Sequence, residues 1–131
     1  MRDTMGLLRT TMGIESLTQR GTRIELPDTL VDPSSLLTQV PRPVLEQLGI
    51  APQKWVRFQL ADGSVIERDV GFAIVHAGDR EAPDDVVFAE AGDRVFLGAR
   101  SLSGMNLKVD MVQLALVDGG PMIAAAGLIA A

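Results

Sequence analysis

Hydrophobic and polar residues alternate along short stretches of this chain, and glycine, proline and aspartate separate the stretches. Val56, Phe58 and Leu60 alternate with polar residues, which is the two-residue period of a strand with one buried face. Asp62-Gly63 then predicts a tight hairpin turn, and the chain returns as a second strand over 65–75. The residues expected on one side of that strand are Ile66, Val70, Phe72 and Ile74. A long two-stranded ribbon is therefore predicted.

Short extended segments also occur on both sides of this ribbon. The strands predicted before it are 6–14, 22–26, 29–32 and 36–40, with polar turns at 18–21 and 32–35. The strands predicted after it are 86–89, 95–97, 107–110 and 112–117, with the last two finishing the sheet. This pattern favours a mainly β domain.

Two short helices interrupt the strands. Residues 41–49 begin with proline, which suits a first helical turn because its missing N–H would be unpaired there anyway. Val44, Leu45 and Leu48 share one face, and Gly49 suits the left-handed position after the helix. A further turn or two is predicted over 99–103, before Gly104.

Length and composition narrow the function classes. The 131 residues suffice for one domain with its own core, which we place at about 5–117 of a single domain spanning 1–131, followed by a small apolar tail over 118–131. A net charge of −5 disfavours nucleic acid as a partner. No secretion signal or membrane-length apolar run is present, so a soluble cytoplasmic protein is expected. The chain has no cysteine and only one histidine, which argues against metal sites, and no cofactor is expected.

Two small motifs carry a resemblance to a known family. Leu30-Val31-Asp32-Pro33-Ser34-Ser35 places an acid on a turn directly after an apolar strand, and Phe96-Leu97-Gly98 leads into a predicted helix. Together, with a hairpin between them, they resemble the retropepsin-like aspartic proteases of clan AA, bacterial type. The match is collinear from about Met5 to Val117. It implies a retropepsin-like acid-protease barrel with one or two short helices.

The resemblance implies an activity and a site. Asp32 would be the catalytic residue, and a homodimer would bring two copies of it together, so that a water activated between the two carboxylates hydrolyses a peptide bond. The loop residues Pro33, Ser34 and Ser35 would contact substrate. The hairpin tip, which would close over an extended peptide or unfolded protein as a flap, comprises Ala61, Asp62, Gly63 and Ser64.

The loop also departs from the family motif. Asp-Pro-Ser-Ser stands where the family has Asp-Thr/Ser-Gly-Ala. Pro33 supplies neither a hydroxyl nor an N–H, so the contact that this position makes across the dimer axis must be missing or rebuilt. Ser34 adds a side chain where the family has glycine. Whether the loop is active stays open.

Several alternatives stay open beside the protease. The Asp32 turn is also explained by an aspartate whose side chain caps the N–H groups that follow it. An inactive homologue would then serve as a peptide-binding or dimerisation module. Residues 39–50, followed by 54–60 and Asp62-Gly63, also resemble the swapped-hairpin DNA-binding regulators, although that resemblance leaves the chain after Val75 unexplained.

Three other features of the sequence are candidates for a chemical role. His76 is expected to be a solvated turn residue, and a triad of Asp32, His76 and either Ser34 or Ser35 has no support from spacing. Trp55 lies on the face of its strand opposite the apolar residues. Its side chain would line a groove, cover a dimer contact or pack at the sheet edge, and we favour the last interpretation. A charged surface loop, rather than a calcium site, is predicted for Asp79, Glu81, Asp84 and Asp85.

Overall fold

The structure, a computed structural model, describes residues 8–122, so Met5 and most of the apolar tail, residues 123–131, lie outside the described part. Nine strands and two helices follow one another along it. The strands are β1 Arg9–Glu15, β2 Arg23–Asp32, β3 Thr38–Pro41, β4 Lys54–Gln59, β5 Val65–Ala77, β6 Arg80–Ala89, β7 Phe96–Gly98, β8 Leu107–Asp110 and β9 Ala115–Asp118. The helices are α1 Arg42–Gln47 and α2 Ala99–Gly104.

Seven of the strands form one sheet that closes into a barrel. Their order is β1-β2-β7-β3-β6-β5-β4, and β1 also pairs with β5, so six strands form a ring and β4 extends beyond it. Closure removes free edges, which a short-stranded sheet otherwise exposes. The mainly β barrel with two short helices confirms the predicted fold class. Its elements also follow one another in the order that the retropepsin-like resemblance implies.

The second strand is longer than predicted, because 22–26 and 29–32 form one element, β2. Thr10 pairs with Thr29 and Met12 with Leu26, so Pro27 and Asp28 together oppose a single residue of β1. Such a bulge tolerates a proline without an N–H and the positive φ of 55° at Asp28. The bulge therefore carries β2 unbroken to Asp32.

The ribbon predicted over residues 56–75 is confirmed only in its first half. β4 pairs with Val65–Val70, and beyond that point β5 pairs with β6 on one side and β1 on the other. Residues 73–77 are buried as a result, whereas Phe72 is 42% exposed. The predicted acidic loop is wrong, because Glu81, Asp84 and Asp85 belong to β6.

The first helix is confirmed within two residues. Pro41 is its N-cap residue, Leu45 and Leu48 are buried, and Gly49 adopts the left-handed φ of 72° after its end. The strands before and after it, β3 and β4, are separated in the sheet by β6 and β5. β3 and β4 therefore do not pair with one another, and only β3 belongs to the ring.

The last two strands depart from the prediction. β9 begins at Ala115 rather than at 112, because 111–114 forms a turn in which Leu114 has a φ of 51°. β8 and β9 pair with one another as a separate two-stranded sheet instead of finishing the main one. None of the helices in residues 8–122 is long and apolar enough to cross a bilayer.

Gly98 marks the closest backbone approach in the part of the barrel next to Asp32. A Cβ at this position would lie 2.7 Å from the carbonyl carbon and oxygen of Leu37 and 2.9 Å from the N atom of Thr38. Real Cβ contacts do not reach these distances, and backbone atoms cannot swing away as a side chain does. The glycine therefore sets how closely β7 packs against the loop before β3.

We predict that Gly98→Ala lowers the free energy of unfolding by about 1–3 kcal/mol, the usual range for overpacking. Gly104→Ala serves as the graded control, since its Cβ would meet only the methyl group of Ala82, at 3.0 Å. Urea unfolding of both variants measures the difference. Equal stability of Gly98→Ala and the unmodified chain would contradict the close approach.

Candidate active site

Asp32 is the last residue of β2 and begins a turn that its own side chain stabilises. Its Oδ1 accepts the N–H of Ser34 (3.1 Å) and the Ser34 hydroxyl (2.5 Å), and its Oδ2 accepts the Ser35 hydroxyl (3.0 Å). The Ser35 N–H also donates to the Asp32 carbonyl oxygen (3.2 Å). Both carboxylate oxygens are therefore already hydrogen-bonded within one chain.

These hydrogen bonds decide the charge of Asp32. Partial burial acts to raise the pKa of the carboxyl group, but the hydroxyls of Ser34 and Ser35, the Ser34 N–H and the charge of Arg94 together outweigh it. The pKa of Asp32 thus lies below its ordinary value. In a single chain Asp32 is a carboxylate, ready to accept a proton but with none to donate.

The loop that carries Asp32 is attached to the beginning of α2. Asp32 lies opposite Gly98 in the parallel pairing of β2 with β7. The first N–H groups of α2 then donate to the loop: Ala99 to the Ser35 carbonyl (2.8 Å) and Arg100 to the Leu36 carbonyl (3.0 Å). Helix-terminal N–H groups lack partners inside the helix, so this contact satisfies them and fixes the loop at once.

A cleft of about 580 Å³ opens beside this loop. Its apolar wall comes from the loop, from both strands of the β4–β5 hairpin and from the strands behind them: Leu36, Leu37, Phe58, Leu60, Ile66, Val87 and Phe96. The polar lining includes Ser34, Ser35 and Gln39, together with Arg94 and the ion pair of Arg68 with Asp93, whose Nε and Oδ2 atoms are 2.7 Å apart. The cleft has the size and mixed lining of a site for an apolar peptide side chain.

The predicted site residues fall into separate groups around this cleft. Ser34 and Ser35 line it, Pro33 lines a neighbouring hollow of about 480 Å³ beside α2 and β8, and Asp32 is not among the lining residues of either. The predicted hairpin turn is confirmed: the Gly63 N–H donates to the Leu60 carbonyl (2.9 Å), and Gly63 has a φ of 88°. Residues 61–64 form the exposed hairpin tip and do not line the cleft.

The expectation that His76 is a solvated turn residue is wrong. It lies within β5, is 7% exposed, and faces Glu15 Oε1 across 2.7 Å and Arg23 Nη1 across 2.7 Å. Because the guanidinium can only donate, His76 Nδ1 accepts from Arg23 and Nε2–H donates to Glu15. β1 lies between His76 and β2. On β2, the position that aligns with His76 through β1 lies roughly 20 Å from Asp32, at the rise of an extended strand. The Ser-His-Asp triad is therefore not assembled within this chain.

The other two candidates have no place in the cleft. Trp55 lies on β4, which is an edge strand of the sheet as expected, but its side chain is 61% exposed and not packed. The acidic residues of β6 are held by cations: Glu81 pairs with Arg20, and Asp85 with Lys54, each at 2.8 Å. Residues 8–122 contain no group of three or more side chains placed to bind a metal ion.

Sequence reasoning missed most of the cleft. Leu36 and Leu37 directly follow the Asp32 turn. Apolar residues in a loop that is otherwise polar are a signal that could have indicated the apolar side of a binding cleft. Arg94 and Arg68 carry no such signal, because their approach to the cleft depends on how β5 and the 90–95 loop are arranged in the barrel.

Similarity to known proteins is found among solved structures. No family model and no curated protein matches this chain. Among solved structures, the solution structure of the simian foamy virus (mac) protease is similar, with 18% sequence identity and a TM-score of 0.49. The matched region covers 72% of this chain and 91% of the viral one.

The buried Glu15 that faces His76 generates a prediction about acid stability. The Gly21 N–H, then Arg20 and His76, lower the pKa of Glu15 to about 2. A carboxyl group with a depressed folded-state pKa stabilises the fold above its ordinary pKa and loses that stabilisation as pH falls toward 2. We predict that Glu15→Gln flattens the loss of stability between about pH 4.5 and 2, measured as the urea midpoint. Glu46→Gln, at an exposed position of α1, should leave the slope intact; a Glu15→Gln profile parallel to that of the unmodified chain would contradict the assignment.

Proposed function

We propose that this protein is a homodimeric aspartic protease of the retropepsin type, with one Asp32 from each subunit. The observation that carries the proposal is the placement of Asp32. Its loop is fixed to the first turn of α2 and borders a cleft that the β4–β5 hairpin also lines. A fixed acid whose loop borders a cleft for a substrate side chain is an arrangement that peptide hydrolysis can use.

One chain supplies only half of the chemistry. A lone Asp32 with a lowered pKa is a base without a proton to give. Two such carboxyl groups within about 3 Å cannot both be ionised, so the pair shares one proton and one of its two apparent pKa values rises. One carboxylate then accepts a proton from the attacking water while the other carboxyl donates to the scissile carbonyl oxygen.

The substrate class follows from the cleft. Phe58, Leu60 and Ile66 of the hairpin present an apolar wall, and Leu36 of the Asp32 loop is 64% exposed beside it. An extended segment of an unfolded protein would place an apolar side chain there and bond through its backbone to neighbouring strands. The exposed tip Ala61–Ser64 would close over that segment as a flap and exclude water.

One observation favours a second function, a peptide-binding dimer without catalysis. The Ser34 hydroxyl lies 2.5 Å from Asp32 Oδ1, where a shared proton or a water would have to bind. Pro33 offers no N–H or hydroxyl to lock the two loops together. Catalysis therefore requires the Ser34 hydroxyl to turn away from Asp32 when the dimer forms.

We predict that the unmodified chain cleaves an unfolded protein between pH 4 and 7.5 and that Asp32→Asn lowers the rate at least about 1000-fold, because the dyad loses its base. Asp110→Asn is the matched control: Asp110 also ends a strand and accepts two turn N–H groups, from Val112 (2.9 Å) and Gln113 (3.0 Å). Cleavage is followed by mass spectrometry of the products. Equal rates for Asp32→Asn and the unmodified chain would exclude the dyad, while saturable peptide binding without cleavage would favour the second function.

We also predict that the double substitution Pro33→Thr and Ser34→Gly raises the turnover number, by about tenfold or more, since it removes the serine hydroxyl from Asp32 Oδ1 and restores a hydroxyl at the dimer axis. The measurement is kcat at saturating peptide, with a thermal unfolding scan to compare stability. A folded double variant with no gain would show that Ser34 does not limit the chemistry.

A further inference from the structure

A row of buried hydrogen bonds connects the backbone beneath Asp32 with β6. The Gly98 N–H donates to Thr38 Oγ1 (3.0 Å), Thr38 Oγ1 lies 2.7 Å from Ser101 Oγ, and Ser101 Oγ lies 2.9 Å from Asp84 Oδ2. We refer to Thr38, Ser101 and Asp84 as the relay. The relay joins β3, α2 and β6 at one point directly under the site.

The direction of each bond in the relay is fixed by the groups that form it. A carboxylate can only accept, so the Ser101 hydroxyl donates to Asp84. Ser101 has no second proton, and therefore its oxygen accepts the hydroxyl proton of Thr38. Thr38 in turn accepts the N–H of Gly98. Removing any one side chain would leave a buried polar group without its partner.

Burial makes this arrangement costly to disturb. Thr38 and Ser101 are fully buried, and the Asp84 side chain is only 5% exposed. The far end is anchored as well, because Asp84 Oδ1 accepts the Asp85 N–H (2.7 Å) and lies 3.4 Å from Arg100 Nε. Hydrogen bonds in such surroundings are strong when complete, and an unpaired polar group there destabilises the fold.

The relay ends at Gly98, the residue that connects it to the Asp32 loop. Gly98 lies opposite Asp32, and the next two residues along the chain donate their N–H groups to Ser35 and Leu36. A shift of Gly98 would therefore move the start of α2 and, with it, the serine hydroxyls that bind Asp32. Val40 and Leu97, on the same two strands as Thr38 and Gly98, are apolar and fully buried. A hydrocarbon side chain at position 38 would therefore fill the space of Thr38, but it would not orient Gly98.

We propose that Asp84, Ser101 and Thr38 are positioning residues for Asp32, acting through Gly98 and the first turn of α2. The effect on turnover rests on the proposed function. The effect on the orientation of Asp32 does not, and it can be measured on a chain with no activity.

The test compares four variants. Thr38→Val keeps the shape and removes the hydroxyl, whereas Thr38→Ser keeps the hydroxyl and should rescue the relay. Ser101→Ala breaks the relay from the helix side, and Ser103→Ala is its matched control, since Ser103 is an exposed residue of the same helix. Two quantities are measured for each folded variant: the titration of the Asp32 carboxyl carbon by NMR, and kcat and KM for peptide cleavage.

We expect Thr38→Val and Ser101→Ala to raise the pKa of Asp32 by about 0.5 or more, because its serine donors are displaced. We expect kcat to fall about ten- to hundredfold with KM little changed, because a shifted start of α2 moves the whole Asp32 loop, and the two Asp32 carboxyl groups of the proposed dimer then no longer meet. Thr38→Ser and Ser103→Ala should leave both quantities as they are. An unchanged Asp32 titration in both Thr38→Val and Ser101→Ala would overturn the proposal. A wild-type chain that cleaves no peptide overturns only the proposed function, because the titration still decides the role of the relay.

Discussion

The rest of the site depends on the contact between the Asp32 loop and the first turn of α2. Two helix N–H groups that the helix itself cannot satisfy bind the carbonyls of Ser35 and Leu36, and the missing side chain of Gly98 lets the backbones approach closely enough for this to happen. The barrel supplies the frame, since β2 carries Asp32 to its end and β7 carries Gly98 beside it. A loop of polar turn residues thereby becomes a rigid platform at the edge of a cleft.

This platform determines what a lone chain can do. Within one chain the carboxylate of Asp32 is stabilised by its own turn, which lowers its pKa and keeps it ionised, so that it carries no proton to donate. A second carboxylate on a symmetry axis would reverse that preference, since like charges at short distance favour a shared proton. The same serine hydroxyls that stabilise the isolated loop compete with that arrangement. In the proposed protease, the hydrogen bond from Ser34 that stabilises the loop of a single chain would thus act against catalysis.

Much of the fold could be predicted from local pattern, whereas much of the site could not. The hairpin at Asp62-Gly63 and the Pro-led helix ending near Gly49 follow from turn and capping preferences that act over a few residues. The first part of β6, before residue 86, escaped prediction because its acidic residues resemble a loop until their cationic partners, which come from distant parts of the chain, are known. His76 was misplaced for the same reason: its burial depends on Glu15 and Arg23 across the barrel. Thr38 and Ser101 look like ordinary polar residues in sequence, and only the packing of three elements makes them neighbours.

The most direct measurement is oxidative cross-linking of a single-cysteine variant, because the natural chain contains no cysteine. A disulfide forms only when two Cα atoms come within about 7 Å, which the meeting of two Asp32 loops would achieve. Asp32→Cys should give a covalent dimer rapidly and almost completely on a non-reducing gel, while Asp110→Cys, at the end of β8, should stay monomeric under the same oxidant. An Asp32→Cys chain that remains uncross-linked, while the unmodified chain sediments as a dimer, would show that these acids do not meet and would contradict the proposed protease.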